Sequence, residues 1–204
     1  MGRTAVSFLA FVLLTGMSLA AEGQEPVIMV AVYDRANMKP ETLLSAEQEA
    51  GRIMNSAGVS VHWLNCQTTR HGVGDDCLNA TNRETLSVTL LVKSPHPALK
   101  SEEMGYALQD RNGHGSQCSI FRSRVDEIAA LAHLSSGRLL GAAIAHELGH
   151  LLKGLDSHSP EGIMSAHWYK REIQAVRRGA LAFTSADIEQ IHARLRQTSL
   201  ASLK

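Results

Sequence analysis

The chain carries no net charge: twenty Lys and Arg stand against twenty Asp and Glu in 204 residues. No global field therefore favours nucleic acid or an anionic membrane surface, and any partner has to be argued from a local site. No apolar run reaches the roughly 20 residues that a spanning helix requires. There are only three cysteines, none of them just after the early apolar run, so a lipid-anchored exported protein is not indicated. Internal repeats and low-complexity segments are absent, which excludes solenoids and long linkers. The length suits a single domain with a sizeable core, taken as residues 21–204.

The first twenty residues, MGRTAVSFLAFVLLTGMSLA, combine a basic start at Arg3 with an apolar stretch from Val6 to about Leu14 and end in small residues. That is the pattern of a secretory signal peptide cleaved near Ala20/Ala21, and it predicts export to the periplasm or the medium. Such a compartment permits a disulfide, and Cys66 with Cys77 would close a short polar loop. Cys118 is then left over as a small buried side chain.

Along the remainder, Pro26–Tyr33 and Val59–Leu64 read as strands. Between them Lys39–Gly58 reads as a helix with Leu43, Leu44, Ala50, Ile53 and Met54 on its apolar face, giving a crossover with two parallel strands. Asn65–Thr85 is a polar loop containing an acceptor-like Asn79-Ala80-Thr81. Leu86–Val92 is a third strand, a short strand is expected around Met104–Leu108, and Ser116–Val125 reads as a fourth strand with the mixed faces of a sheet edge. From Asp126 to Lys153 the pattern is helical with a division at Gly137; its second part, Arg138–Lys153, is apolar on most sides and so should be buried. An irregular segment, a helix over Ala166–Gly179 and a last helix from Thr184, with Thr184 and Asp187 as a capping pair, complete an α+β domain of about four to five strands.

The chemistry lies in HELGHLLKGLDSHSPEGIM, residues 146–164. His146 and His150 are four apart on a helix and share a face, so both imidazoles can reach one ion. Glu147 beside the first of them is placed to take a proton from a water under attack-ready activation rather than to ligate. All three interrupt a helix whose other residues are apolar, where unpartnered polar groups are costly. The remaining histidines, His62, His71, His96, His114, His133, His167 and His192, lack partners at ligand spacing and read as surface or packing residues.

This stretch resembles the metzincin metallopeptidases, whose pattern H-E-x-x-H-x-x-G-x-x-H ends in His or Asp and is followed by a Met-turn. The first five positions match as His146, Glu147, Leu148, Gly149 and His150. The glycine position holds Lys153, with Gly154 one residue late, and the third-ligand position holds Asp156, with His158 two further on. Either residue can complete the set; His158 is favoured because neutral imidazole suits zinc and the turn at Gly154 gives it reach, and Asp156 is the alternative. Gly162-Ile163-Met164 is similar to the Met-turn, which makes Met164 the apolar floor of the site.

The resemblance implies a mixed sheet above a buried active-site helix, a bound Zn2+, a peptide or protein substrate, and peptide hydrolysis with Glu147 as general base. It also implies an edge strand that pairs with extended substrate, assigned on position to Ser116–Val125. Two other readings stand beside it: a zinc-stabilised, non-catalytic binding module of the cell envelope, and a zinc hydrolase acting on something other than peptides. Oligomeric state and subsite preference are not legible.

Overall fold

The computed structural model describes residues 25–66, 77, 85–95, 103–155 and 157–202, without side chains for 198–202. The expected signal peptide, the Asn79-Ala80-Thr81 acceptor, His71, His96 and Asp156 lie outside the described residues. Among the described residues five strands form one sheet: β1 (Val27–Asp34), β2 (Ser60–Asn65), β3 (Thr85–Leu91), β4 (Gly105–Leu108) and β5 (Gln117–Phe121). Among the described residues five longer helices accompany it: α1 (Pro40–Ser56), α2 (Arg122–Leu131), α3 (Ser136–Lys153), α4 (Lys170–Arg178) and α5 (Ser185–Ser202).

The sheet order is β2-β1-β3-β5-β4. β1 is parallel to β2 and β3, and β3 to β5, while β4 runs antiparallel to β5, with Tyr106 opposite Ser119 and Ala107 opposite Cys118. The expected β1-α1-β2 crossover is therefore present, as is the short strand near Met104.

The assignment of Ser116–Val125 to an edge strand is corrected. β5 is interior and buried from Cys118 to Phe121, and the antiparallel edge is β4. The strand also stops at Phe121, where α2 begins directly and without a capping side chain. Nothing in Arg122–Val125 announces that change to the sequence reader.

Helices α1 and α3 pack closely against each other, and their core faces meet the sheet through fully buried Val30, Ile53, Val88, Ile120, Ile144 and Leu148. Leu44 is the exception to the expected apolar face of α1, being 56% exposed, while Ala46 takes its place in the core. The helical break falls at residues 132–135 rather than at Gly137: His133 has φ 50°, and Ser135 caps α3 by accepting the Arg138 N–H. Gly137 lies inside α3 because a Cβ there would stand 2.7 Å from Cβ of Ser45 on α1. Gly141, one turn on, faces the carbonyl oxygen of Ala46 in the same way.

As expected, α3 is buried on nearly all sides, and it ends at Gly154, whose φ of 92° is open to glycine and strained for other residues. The predicted helix over Ala166–Gly179 is shorter, starting at Lys170, where Glu172 reaches back to accept the Tyr169 N–H at 3.1 Å. Thr184 and Asp187 cap α5 reciprocally: Asp187 accepts the Thr184 N–H at 2.9 Å and Thr184 Oγ1 accepts the Asp187 N–H at 3.2 Å. Cys66 and Cys77 form a disulfide across eleven positions, and Cys118 is free and buried. Among the described residues no helix is long and apolar enough to cross a membrane.

Candidate metal centre

One turn of α3 sets His146 and His150 side by side, their Nε2 atoms 3.0 Å apart. Each ring is fixed through its other nitrogen. His146 Nδ1 lies 2.7 Å from the carbonyl oxygen of Ile163, which only accepts, so Nδ1 carries the proton and Nε2 presents a lone pair. His150 Nδ1 lies 2.5 Å from Ser157 Oγ, a hydroxyl able to accept its proton, and in that tautomer Nε2 also presents a lone pair.

The turn after α3 brings His158 to this pair, its ring centroid 4.7 Å from that of His150 and 5.6 Å from that of His146. One nitrogen from each of the three rings falls within a common span of 4.8 Å. Two imidazoles bound to tetrahedral zinc at ordinary lengths stand about 3.3 Å apart, close to the separation of the His146 and His150 nitrogens, and the three rings together could hold a metal ion.

Electrostatics point the same way. Burial pulls His146 down to about 4, against the raising effect of the Ile163 carbonyl, with the charges of His158 and Lys153 pulling further. Burial, then His146, His158 and Lys153, pull His150 down to about 3. His158 is lowered too, by burial first and then by His167 and Lys153. Neutral imidazoles whose lone pairs face one another repel, and a cation between them removes that repulsion. The donor set therefore fits a divalent metal such as zinc.

Glu147, 6% exposed, lines the same cleft as the histidines. Burial, with the charge of Glu103 adding to it, pushes its carboxyl up to about 8. Its Oε2 is buried and finds no hydrogen-bond partner among the described residues. Such an atom is costly unless something outside the protein uses it. The backbone of β4 passes close by: a Cβ on Gly105 would meet Ser119 O at 2.5 Å and Glu147 Cγ at 3.1 Å.

Met164 is fully buried and lies beneath the two helix histidines, for a Cβ on the intervening Gly149 would meet its Sδ at 2.4 Å. The cleft at the histidines has a volume of about 750 Å³ and is lined also by Met104, by Gly105–Ala107 of β4, and by Ile128 and Trp168.

Several residues at the site were not legible beforehand. Trp168 donates Nε1–H to the same Ile163 carbonyl at 3.1 Å and meets the His146 ring edge-on at 5.8 Å. His167, read as a bland surface histidine, is exposed but lines the cleft. Ser157, Ser159, Lys153 and Asp187 form a largely buried polar cluster beside the three histidines. The one hint of it was a lysine in the last turn of an otherwise apolar helix. Of the other histidines, His192 is a packing residue, its Nε2 2.7 Å from Ala57 O, and His62 is exposed on β2.

No known family profile and no curated protein matches the chain. Among solved structures it is similar to archaemetzincin from Methanopyrus kandleri, at 19% identity and a TM-score of 0.48 over 87% of this chain and 99% of that one. It is also similar to metalloproteinase-II from Bacteroides fragilis, at 13% identity and a TM-score of 0.49, over 83% of this chain and 53% of that one. A third similar structure is myroilysin, at 12% identity and a TM-score of 0.36, over 80% of this chain and 71% of that one.

Proposed function

We infer that the chain is an exported zinc-dependent metallopeptidase of metzincin type. The observation that carries this is the pairing of two features in one cleft: three neutral histidines with ligand nitrogens within 4.8 Å, and a buried Glu147 carboxyl with an unpartnered oxygen. A closed structural site has no use for the second feature.

His146, His150 and His158 would hold the zinc, each through one imidazole nitrogen. When bound, zinc supplies the Lewis acidity that polarises a peptide carbonyl and acidifies water. Ile163 O and Ser157 Oγ keep the two helix imidazoles in the tautomer that offers Nε2. Glu147 takes the proton of the attacking water and then delivers it to the leaving amine nitrogen. An extended peptide would lie along the outer edge of β4, which pairs with no other strand among the described residues. Export, with cleavage near Ala20/Ala21, is supported by the Cys66–Cys77 disulfide, a bond that persists in oxidising compartments.

The test is cleavage of a mixed peptide library by the purified mature protein. Cuts that vanish with a chelator and return with zinc are expected. A protein that retains one zinc and makes no cuts would overturn the peptidase reading and favour the non-catalytic module.

A further inference from the structure

Behind the ligands lies an ion pair that the proposed chemistry does not use. Lys153 ends α3 and Asp187 stands in the first turn of α5; their side chains are 2% and 1% exposed, and Lys153 Nζ is in direct contact with Asp187 Oδ1. Nζ also donates to the carbonyl oxygen of Ser157 at 2.6 Å and to Ser159 Oγ at 3.2 Å, so its three donors are all used. Ser159 Oγ donates to Asp187 Oδ1 at 2.5 Å, and Asp187 Oδ2 accepts from Thr184 N and Oγ1 at 2.9 and 2.7 Å. The two serines that the pair grips are the immediate neighbours of His158 on either side. The same segment is tied to the Met164 turn, where Ser159 N donates to Met164 O at 2.8 Å.

Removing a lysine and an aspartate from water is costly, and apolar residues of similar volume usually stabilise a core as well or better. A buried pair is therefore better explained by the geometry it enforces than by the stability it adds. Here the geometry is that of a turn. Lys153 stands where the metzincin pattern has glycine, and His158 comes two residues later than the third position of that pattern. The longer turn needs something other than a glycine bend to direct its imidazole.

We propose that Lys153 and Asp187 are positioning residues that clamp Ser157–Ser159 and so aim His158 at His146 and His150. This rests on the zinc reading of the site. Ser157 makes two contacts, its carbonyl accepting from Lys153 Nζ and its hydroxyl lying 2.5 Å from His150 Nδ1.

The experiment is a zinc-affinity measurement by competition with a chromophoric chelator, in two backgrounds. Lys153→Met with Asp187→Asn removes both charges together and leaves an amide to cap Thr184. In the wild-type background this double variant should bind zinc about 10–100-fold more weakly, the range seen when partners of ligands are lost. In a His158→Ala background the same change should cost less than about threefold, because the clamp acts through the missing ligand. The cobalt-substituted double variant should also show an altered visible spectrum.

Equal losses in the two backgrounds, or no loss in either, would overturn the proposal. Should the double variant not fold, Ser159→Ala keeps the ion pair and removes one of its grips. It should weaken zinc severalfold in the wild-type background and leave affinity unchanged without His158; unchanged affinity in both is the contrary result. Wild-type protein that binds zinc but cleaves no peptide would overturn the peptidase and leave the clamp standing, whereas wild-type protein that binds no zinc would overturn both.

Discussion

Gly149 separates the two helix histidines, and Met164 fills the space where a side chain would be. A Cβ there would meet Met164 Sδ at 2.4 Å and Phe183 Cε1 at 2.9 Å. Gly149→Ala should thus overpack the floor of the site, costing about 1–3 kcal/mol of stability and weakening zinc binding, in contrast to the gain an alanine usually brings inside a helix. Urea unfolding of the apo protein and a zinc titration read the two effects separately. His146, Glu147 and His150 were legible in the sequence because a four-residue spacing on a helix fixes a shared face whatever surrounds it. His158 was harder: its choice over Asp156 depended on a turn whose path is set by side chains elsewhere. Lys153 gave only a hint of a structural role, as a lysine closing an otherwise apolar helix. A lysine near a helix C-terminus ordinarily reads as a solvated complement to the helix dipole, and its burial here comes from Asp187, thirty-four positions away.

Between elements, the approach of α1 to α3 is set by glycines. Gly141→Ala would place a Cβ 2.4 Å from Ala46 O, a backbone atom that cannot step aside without moving α1. Gly51, in the interior of α1, offers the opposite case, since a Cβ there would meet only Trp63 Nε1 at 3.8 Å, an ordinary contact. Thermal melts should therefore move in opposite directions: Gly51→Ala upward by a few degrees, from about 0.5–1 kcal/mol of helix propensity, and Gly141→Ala downward by more. A rise in both would mean that the helices are not held at the separation described. These glycines also explain where periodicity misled. Gly137 was taken for a helix break on its residue type, but a glycine can mark a close crossing instead. The true break, at His133 and Ser135, carries no glycine or proline. The boundary of β5 and α2 was invisible for a similar reason, since Phe121 ends the strand with neither a turn residue nor a cap. Buried Ser119 in an interior strand gave β5 the mixed look of an edge.

For the whole molecule, the Lys153–Asp187 pair makes stability depend on pH with a definite sign. Burial pushes the Asp187 carboxyl up, but hydrogen bonds from Lys153, Ser159 and Thr184 outweigh it and hold the group below its ordinary 3.8. A carboxyl lowered by folding stabilises fully above its unfolded-state value and loses that contribution as pH falls through the lower folded-state value. Asp187→Asn should accordingly destabilise by about 3–5 kcal/mol at neutral pH, where it leaves Lys153 buried and unpaired. In urea titrations the gap between the two proteins should narrow only in strong acid, and a gap constant with pH would contradict the pairing. The disulfide acts at the same scale. Replacing Cys66 and Cys77 with serine opens a loop of eleven positions and should cost about 2–3 kcal/mol. Strand order and chain direction were only partly readable from the sequence, because the β1-α1-β2 crossover has a length signature while the insertion of β5 between β3 and β4 has none.

The measurement that bears most directly on the central claim compares wild type with Glu147→Gln, each carrying one zinc per chain, on the same peptide. With Glu147 as the proton carrier, the variant should keep its zinc and lose about 10²–10⁴-fold in cleavage rate. A variant that cleaves as fast as wild type, with zinc equally bound, would contradict it.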